Sequence, residues 1–311
     1  MQSSIQQIGV IGLGHMGGDF ASNLIADGFQ VKVYDRNEKQ CAPFVAGGAT
    51  AAANLADLAS CEAVLTSLPD DDALADVTLR DGGLVHVLGR SAIHVSMSTV
   101  SPGLSRRLAH HHELAGQSYV AAPVLGNPDL AEARKLFVLV AGASPAVDRV
   151  SPVLGRLGQR LFLLGDDPGA ANLMKVAANA LTALTLQSMG EVLALLRKGG
   201  VEARAAFEIL TGSLFDGKVH KTYGGKIVEN RYSPPGMTTP LAVKDLRLAL
   251  AEAEHMAVPM PAASLVHDRL VATVARGWTE LDWSALGLLA ACDAGLQSDA
   301  GVSSGRPRPP A

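Results

Sequence analysis

Apolar runs alternate with helix-like stretches along the first half of the chain, up to about residue 165. The runs are short and rich in Val, Ile and Leu, and the stretches between them are rich in Ala. This alternation is typical of strands that crossover helices bury on both faces, so it predicts an α/β domain with a doubly wound sheet over residues 1–165. The predicted strands are Ile8 to Ile11, Val31 to Tyr34, Ala63 to Leu68, Ile93 to Ser96, Tyr119 to Ala122, Phe137 to Ala141 and Leu161 to Leu164.

The pattern changes after the turn-forming segment at residues 165–169. Residues 170–198 form a long apolar-periodic segment without proline, in which Val176, Ala177 and Ala180 follow the spacing of a buried helix face. An all-helical domain is therefore predicted over residues 166–296, beginning with a long interdomain helix, and a disordered tail over residues 297–311. The further predicted helices are Ala203 to Thr211, Leu241 to His255, Pro261 to Arg276 and Trp283 to Leu296.

A glycine-rich turn follows the first predicted strand. Gly12, Gly14 and Gly17 have the spacing G-x-G-x-x-G, in which the first glycine permits a tight turn and the second lets backbone approach a phosphate. The third lets the following helix pack closely on the strand, and that helix points its free N–H groups at the anion. Asp35 ends the second strand, where a carboxylate accepts hydrogen bonds from an adenosine ribose. This order of elements predicts a dinucleotide site.

The residues after the second strand bear on the choice between NAD and NADP. Asp35 suits the free 2′-OH of NAD and repels the 2′-phosphate of NADP. Arg36 can stack on adenine or pair with that phosphate, and Asn37 follows it. The segment lies between the two patterns, so use of either cofactor is expected, with a slight preference for NAD.

Composition narrows the class of protein. The chain has 311 residues, of which 48% are hydrophobic, and a formal net charge of −4 without a basic stripe. This balance argues against nucleic acid as a partner. Three distant cysteines without C-x-x-C spacing argue against a disulfide framework, and no segment has the length of a membrane span. A soluble cytoplasmic protein, with no membrane partner, is expected.

Lys175 and Asn179 stand four residues apart on the predicted long helix and therefore share a face that is otherwise apolar. Burial disfavours the ammonium form of a lysine, and a neighbouring cationic nicotinamide disfavours it further, which suits proton transfer at neutral pH. The alternative is a lysine that extends to solvent from the helix edge, beside a structural amide. Spacing alone favours this structural alternative.

These residues and several further segments resemble the β-hydroxyacid dehydrogenase family, which includes 3-hydroxyisobutyrate dehydrogenase and the 6-phosphogluconate dehydrogenases. The resemblance covers residues 5 to about 296 and implies an N-terminal Rossmann domain followed by a helical domain. It also reverses the preference at Lys175. The matching segments are Gly12-Leu13-Gly14-His15-Met16-Gly17, Leu68-Pro69-Asp70, Ser98-Thr99-Val100-Ser101-Pro102, Gly169 through Lys175 to Asn179, and Lys244-Asp245-Leu246.

The resemblance implies an NAD(P)-dependent dehydrogenase or reductase that acts on CH–OH donors. Lys175 exchanges the proton with the substrate oxygen as general acid or base, and Asn179 positions Lys175 and the hydroxyl. Family members commonly form dimers or tetramers through the helical domain, and a homodimer or homotetramer is expected here. The residues expected to bind the cofactor are Gly12, Leu13, Gly14, His15, Met16, Gly17, Asp35, Arg36, Asn37, Leu68, Pro69, Thr99 and Lys244.

The segment expected to bind substrate departs from the family pattern. Where the family usually reads A-P-V-S-G-G, this chain has Leu125, Gly126 and Asn127 after the valine, so a hydroxyl is replaced by an isobutyl group. An aromatic residue often found before the K-D-L segment is here Met237, a softer wall. Both changes predict a larger or less polar substrate than a small hydroxy acid. The expected substrate-binding residues are Ser98, Leu125, Gly126, Asn127, Met237 and Asp245.

Two other functions stay open at this point. Imine reductases resemble this family and have an aliphatic pocket, so reduction of a C=N bond in a cyclic or bulky imine is the first alternative. In them the lysine is commonly replaced by Asp or Tyr, and Lys175 argues against that assignment. A protein that binds NAD(P) without turnover is the second, and the presence of both Lys175 and Asn179 argues against it.

No metal site is expected. Adjacent side chains on a helix point to different faces, so the run His110-His111-His112 is expected to be a solvated surface segment and not a chelate. The three carboxylates of Asp70-Asp71-Asp72 follow a proline where a helix should start. Capping and the helix dipole account for them.

Overall fold

The computed structural model describes residues 5–296. These residues fold as two compact units, one extending to Lys175 and the other starting at Val176. The division falls inside a helix, after the predicted boundary at residue 165. The predicted tail at residues 297–311 lies outside the described residues.

The first unit contains a nine-stranded sheet, which confirms the α/β class. Along the sheet the order is β3-β2-β1-β4-β5-β6-β8-β7, with β9 paired to β8. Five neighbouring pairs are parallel, namely β3-β2, β2-β1, β1-β4, β4-β5 and β5-β6. In contrast, β8 is antiparallel to both β6 and β7. The strands are β1 (Gln7–Ile11), β2 (Gln30–Tyr34), β3 (Thr50–Ala51), β4 (Ala63–Thr66), β5 (Ile93–Ser96), β6 (Ser118–Ala121), β7 (Val124–Leu125), β8 (Leu136–Gly142) and β9 (Gly158–Leu163).

Burial explains why the apolar runs become strands. All four residues of β4 and all four of β5 are buried, as expected for central parallel strands covered on both faces. All seven predicted strands are present, with shifted ends. The two strands that were not predicted, β3 and β7, have two residues each and are too short to produce an alternating pattern.

Helices cover this sheet and make up the second unit. The helix α8 has 31 residues and belongs partly to each unit. The helices are α1 (His15–Ala26), α2 (Ala42–Ala46), α3 (Asp71–Leu79), α4 (Leu84–Val87), α5 (Pro102–Leu114), α6 (Pro128–Glu132), α7 (Ser144–Leu154), α8 (Pro168–Lys198), α9 (Ala203–Thr211), α10 (Lys218–Val228), α11 (Thr239–His255), α12 (Pro261–Ala275) and α13 (Ala285–Asp293).

Two details of the helical half differ from expectation. Helix α10 was not predicted, because Gly224 and Gly225 in its middle are typical helix breakers. In the structure a Cβ on Gly224 would lie 2.8 Å from Met189 Cε and 2.9 Å from Phe207, so this glycine permits close helix packing. On α8, Ala177 is exposed and not buried.

A chain of buried polar side chains crosses the first unit. His94 Nε2 lies 3.0 Å from Thr66 Oγ1, and His94 Nδ1 lies 2.8 Å from His112 Nε2. His112 Nδ1 lies 2.7 Å from Gln117 Oε1, whose amide Nε2 donates to the carbonyl of Leu88 at 2.8 Å. The expectation that His112 is a solvated surface residue is therefore wrong, whereas His110 and His111 are exposed as expected.

The hydrogen bonds between these buried side chains determine which ring nitrogen of each histidine carries a proton. Gln117 uses its amide N–H on a backbone carbonyl, so its Oε1 must accept from His112 Nδ1–H. Nε2 of neutral His112 then accepts from His94 Nδ1–H, and Nε2 of His94 accepts from the hydroxyl of Thr66. Both rings are neutral in this arrangement. Burial lowers the pKa of His94 well below its ordinary value and lowers the pKa of His112 to about 4.

This histidine pair predicts a loss of stability in mild acid. The unfolded chain binds protons at ordinary histidine pKa values while the folded chain does not, so stability is full above about pH 6.5 and falls as the pH drops. Each histidine is expected to lower the free energy of unfolding by about 2 kcal/mol at about pH 5. Urea unfolding across this range measures the slope. His112→Gln should reduce the slope and the exposed control His111→Gln should not; equal slopes in the two variants would assign the loss to another group.

Candidate active site

The glycine turn of the first unit is shaped by its own backbone. Gly12 follows β1 with φ of +85°, a conformation that favours glycine, and a Cβ there would lie 2.3 Å from the carbonyl oxygen of Ser67. A Cβ on Gly17 would lie 1.9 Å from the carbonyl oxygen of Gly12. Both positions therefore exclude any side chain.

Gly14 differs from the other two glycines because a Cβ on it would meet nothing within 4 Å. It is the N-cap residue of α1, which begins at His15, and both residues are exposed. Met16 is half-buried and packs against the core beneath the turn. The absence of a side chain at Gly14 thus leaves space in front of a helix N-terminus, and such a space fits the pyrophosphate of a dinucleotide.

Asp35, at the end of β2, connects this turn to the neighbouring loop. Its Oδ2 accepts a hydrogen bond from the backbone N–H of Leu13 at 2.8 Å, and its Oδ1 accepts one from the N–H of Asn37 at 2.9 Å. Asn37 also caps a short 3-10 helix by accepting from Lys39 N at 3.3 Å. Arg36 is exposed beside them. The carboxylate is half-buried next to the turn, in the place that a ribose contact needs.

The loops after β4 and β5 are joined by one hydroxyl. Ser98 is buried, and its Oγ accepts from the N–H of Leu68 at 2.9 Å and donates to the carbonyl of Thr66 at 3.4 Å. Pro69 is exposed and Thr99 half-buried, each next to one of these partners. The Ser98 hydroxyl bonds the protein backbone, so its contribution at the site is to fix the two loops.

The expected substrate segment lies at β7 and the start of α6. Leu125 is half-buried against apolar neighbours, and Gly126 has φ of +144°. Asn127 caps α6 by accepting from Leu130 N at 3.2 Å, and its Nδ2 lies 3.3 Å from Asp129 Oδ2. The side chain of Asn127 therefore supports the local fold through its oxygen and one of its two amide N–H groups.

Lys175 lies on α8 within the first unit, and only 9% of it is exposed. One turn earlier, Asn172 is fully buried. Sequence reasoning missed Asn172, although its spacing from Lys175 and from Asn179 places all three on one face of the helix. A row of three polar side chains on a buried helix face is the signal that was available.

The second unit joins three of the expected residues. Asn179 Nδ2 donates to Asp245 Oδ2 at 2.5 Å, and Lys244 Nζ lies 3.0 Å from Asp245 Oδ1. Asp245 is buried, and Lys244 is largely buried. A carboxylate only accepts hydrogen bonds, so the NH₂ group of Asn179 must face Asp245 and its carbonyl oxygen must point elsewhere. Asp245 thereby fixes the orientation of the Asn179 amide.

Met237 lies in the loop between α10 and α11. Its carbonyl accepts from the N–H of Trp283 at 2.9 Å, and the N–H of Gly236 donates to Asp282 Oδ2 at 2.9 Å. The carboxylate of Asp282 is fully buried and pairs with Lys226 Nζ at 2.7 Å. The backbone around Met237 is therefore held in place while its half-buried side chain packs beside Trp283.

Within residues 5–296, no group of three or more His, Cys, Asp or Glu side chains could hold a metal ion. Over the same range, no helix is long and apolar enough to cross a membrane. The first unit thus contains a glycine turn and a buried lysine, and the second unit contains an asparagine amide held by a buried carboxylate.

Comparisons with known proteins identify the family of the chain. The family profile for the NAD binding domain of 6-phosphogluconate dehydrogenase matches residues 7–165. The profile described as NAD-binding of NADP-dependent 3-hydroxyisobutyrate dehydrogenase matches residues 169–289. Together the two matches extend over most of the described chain.

Curated relatives are similar over nearly the whole chain. The uncharacterized oxidoreductase YfjR of Bacillus subtilis (strain 168) is 36% identical, over 90% of this chain and 98% of that protein. The 3-sulfolactaldehyde reductase of Escherichia coli (strain K12) is 32% identical, over 90% of this chain and 94% of its own length. Among solved structures, a 3-hydroxyisobutyrate dehydrogenase from Salmonella typhimurium has the same fold, with a TM-score of 0.82, 24% identity and coverage of 91% of this chain and 99% of that one.

Proposed function

We propose that this protein interconverts a hydroxy compound and the corresponding carbonyl compound, with Lys175 as general acid and base. The premise is that the chain belongs to the NAD(P)-dependent hydroxyacid dehydrogenase family, which includes 3-hydroxyisobutyrate dehydrogenase. The chain is an oxidoreductase that acts on CH–OH donors, and NAD(P) is its cofactor. The observation that carries the proposal is the buried lysine on α8, in the same unit as the glycine turn.

The cofactor supplies a hydride acceptor or donor when it is bound. The open space at Gly14 and the N-terminus of α1 take its pyrophosphate, and Asp35 takes its adenosine ribose. Gly12, Leu13, His15, Met16 and Gly17 form the rest of that turn. The nicotinamide end is held from the loops after β4 and β5, by Leu68, Pro69 and Thr99.

Lys175 moves the proton at the substrate oxygen. In reduction its Nζ donates a proton to the carbonyl oxygen, and in oxidation it removes the proton of the hydroxyl. The carbonyl oxygen of Asn179 is turned away from Asp245 and is the acceptor for the substrate hydroxyl. Asp245 thus supports the substrate site by holding Asn179, which is a more specific role than direct substrate contact.

The substrate is a carbonyl compound with an apolar part next to the reacting carbon. Leu125 offers an isobutyl surface, while Asn127 uses its side chain to cap α6. Backbone N–H groups near Gly126 and the loop fixed by Ser98 hold its polar end. The relative from Escherichia coli is, by its name, a reductase of an aldehyde, which supports a carbonyl group as the hydride acceptor.

Reduction of cyclic or bulky imines is the second candidate, and the apolar Leu125 favours it. The presence of Lys175 favours the carbonyl instead. For the cofactor, Asp35 beside the turn favours NAD, and the exposed Arg36 gives NADP a binding contact.

We further propose that two copies associate through α8. Three of its exposed apolar residues are Met174, Leu181 and Leu195, with a spacing of seven residues and then fourteen. They therefore line one face of the helix. Such a face suits antiparallel or parallel pairing with the same face of a second copy. Sedimentation equilibrium measures the mass, and a monomer at all concentrations contradicts this proposal.

A substrate screen tests the proposed function. Purified protein is assayed for oxidation of NADH and of NADPH with small semialdehydes, bulky aldehydes or ketones, and cyclic imines. Turnover of a carbonyl compound, faster with NADH and faster for apolar side chains, is expected. Turnover of imines alone would favour the second candidate. Binding of both cofactors without turnover of any of these classes would contradict the proposal.

A further inference from the structure

The first turn of α8 is anchored by a buried asparagine whose role the sequence pattern did not reveal. Asn172 Oδ1 accepts a hydrogen bond from Ser105 Oγ at 2.7 Å, and Asn172 Nδ2 donates to the carbonyl of Ser98 at 3.4 Å. Because Ser105 gives its proton to Asn172, the hydroxyl of Tyr119 donates to Ser105 Oγ at 3.1 Å. The amide therefore bonds α5 with one end and the loop after β5 with the other.

A second contact docks the same helix start on α5. Arg106, next to Ser105, forms a two-pronged ion pair with Asp167, at 3.0 Å from Nε to Oδ1 and 2.9 Å from Nη2 to Oδ2. Asp167 Oδ1 also accepts from the N–H of Gly169 at 2.9 Å. Both side chains of the pair are about half exposed. Exposed ion pairs contribute little to stability, so the buried amide is the stronger determinant of where the helix begins.

The position of Asn172 connects two parts of the proposed site. Lys175 is three residues further on the same helix face, and Ser98 directly precedes Thr99, the proposed nicotinamide contact. The bond from Nδ2 to the Ser98 carbonyl ties the helix that carries the lysine to the loop that carries the threonine. Asn172, Ser98, Thr99 and Lys175 all belong to the first unit.

We propose that Asn172 is a positioning residue, which sets the place of Lys175 relative to the Ser98–Thr99 loop through the bond from its Nδ2 to the Ser98 carbonyl. This inference rests on the proposed function of Lys175. What the position requires is a donor facing Ser98 and an acceptor facing Ser105. Among common side chains of this size, an amide supplies both, and a carboxylate supplies only the acceptor.

Asn172→Asp tests the donor while it preserves shape. At neutral pH the carboxylate keeps the bond from Ser105 but turns an oxygen towards the Ser98 carbonyl. We expect kcat to fall about 10- to 100-fold, with KM for the cofactor within about twofold of wild type, because a displaced proton donor slows the chemical step. Asp167→Asn, which weakens the exposed ion pair but keeps an oxygen that can accept from the N–H of Gly169, is the matched control and should keep wild-type kcat.

The pH profile separates positioning from a structural role. In the Asn172→Asp variant the new carboxyl group donates to Ser98 once it is protonated, and burial makes it titrate at a high pH. The ratio of variant to wild-type kcat should therefore rise between about pH 8 and about pH 6. Burial raises the pKa of Tyr119 to about 12, so this neighbour does not titrate in the range. A flat ratio at the level of wild type overturns the proposal.

Two further measurements keep the test decisive. Ser105→Ala retains the Ser98 bond, so its kcat should stay within about threefold of wild type even where its melting temperature falls. If Asn172→Asp does not fold, the kcat of Ser105→Ala decides the test. A kcat as low as that of Lys175→Ala overturns the assignment of the effect to the Ser98 bond, and a kcat near that of wild type supports the assignment.

Hydrogen exchange at residues 98–104 should accelerate in Asn172→Asp and not in Asp167→Asn, independently of turnover. Equal exchange rates in the two variants overturn the proposal that the bond from Asn172 to Ser98 anchors this loop. A wild-type protein that is inactive with both cofactors contradicts the proposed function alone.

Discussion

Lys175→Ala is expected to lower kcat for carbonyl reduction about 10²- to 10⁴-fold, the usual contribution of a general acid. The cause is the loss of the proton donor on the buried face of α8, where only 9% of Lys175 is exposed. The cofactor should bind with unchanged affinity, because the glycine turn and Asp35 lie elsewhere in the unit. Steady-state kinetics with fluorescence titration of NADH measures both quantities.

Lys198→Ala is the matched control for this variant, since Lys198 is an exposed lysine in the last turn of the same helix. It removes an equal charge from α8 and should leave kcat near wild type. The assignment of the proton to Lys175 is wrong if Lys175→Ala reduces carbonyl compounds as fast as Lys198→Ala. Retained imine reduction in Lys175→Ala, with carbonyl reduction lost, would assign the lysine to oxygen substrates only.

Gly17→Ala and Gly14→Ala are expected to fail in different ways. A Cβ at position 17 would lie 1.9 Å from the carbonyl oxygen of Gly12, so the backbone must move, and unfolding free energy should fall by about 3 kcal/mol. A Cβ at position 14 meets no atom within 4 Å, so Gly14→Ala should keep most of its stability without cofactor. It should instead lose at least about tenfold in cofactor affinity, or about 1.4 kcal/mol, because the methyl group occupies the space for pyrophosphate.

Thermal unfolding with and without cofactor separates the two effects. Wild type should gain about 2.7 kcal/mol at a cofactor concentration about a hundredfold above Kd, and Gly14→Ala should gain much less at the same concentration. Normal cofactor stabilisation of Gly14→Ala would place the pyrophosphate away from the N-terminus of α1. Normal stability of Gly17→Ala would mean that the turn relaxes without cost.

Local pattern predicted the elements that are long or strongly periodic. Strand β4 and helix α9 lie where their apolar spacing puts them, because burial on one or both faces dictates that spacing. The two-residue strands β3 and β7 leave no such signal. Helix α10 was hidden by Gly224, whose small size serves packing against Met189 and Phe207, a contact that local sequence does not encode.

Side-chain partners were harder to predict than elements. The hydrogen bonds of buried His112 depend on His94, which lies 18 positions away in the chain, and on Gln117 beyond the helix. A run of histidines considered by itself therefore predicts only solvent-exposed side chains. The pairing of Asn179 with Asp245 spans 66 positions. The capping role of Asn127 could be predicted from sequence, since an Asn before Pro128 is a typical helix start, and its substrate role stays a prediction.

The loop that carries Met237 is held by main-chain bonds, from the N–H of Trp283 to the carbonyl of Met237 and from the N–H of Gly236 to Asp282. Because neither bond uses the methionine side chain, that side chain can be exchanged without releasing the loop. If position 237 lines the substrate site as proposed, a library of substitutions there should alter substrate range while the loop backbone stays in place.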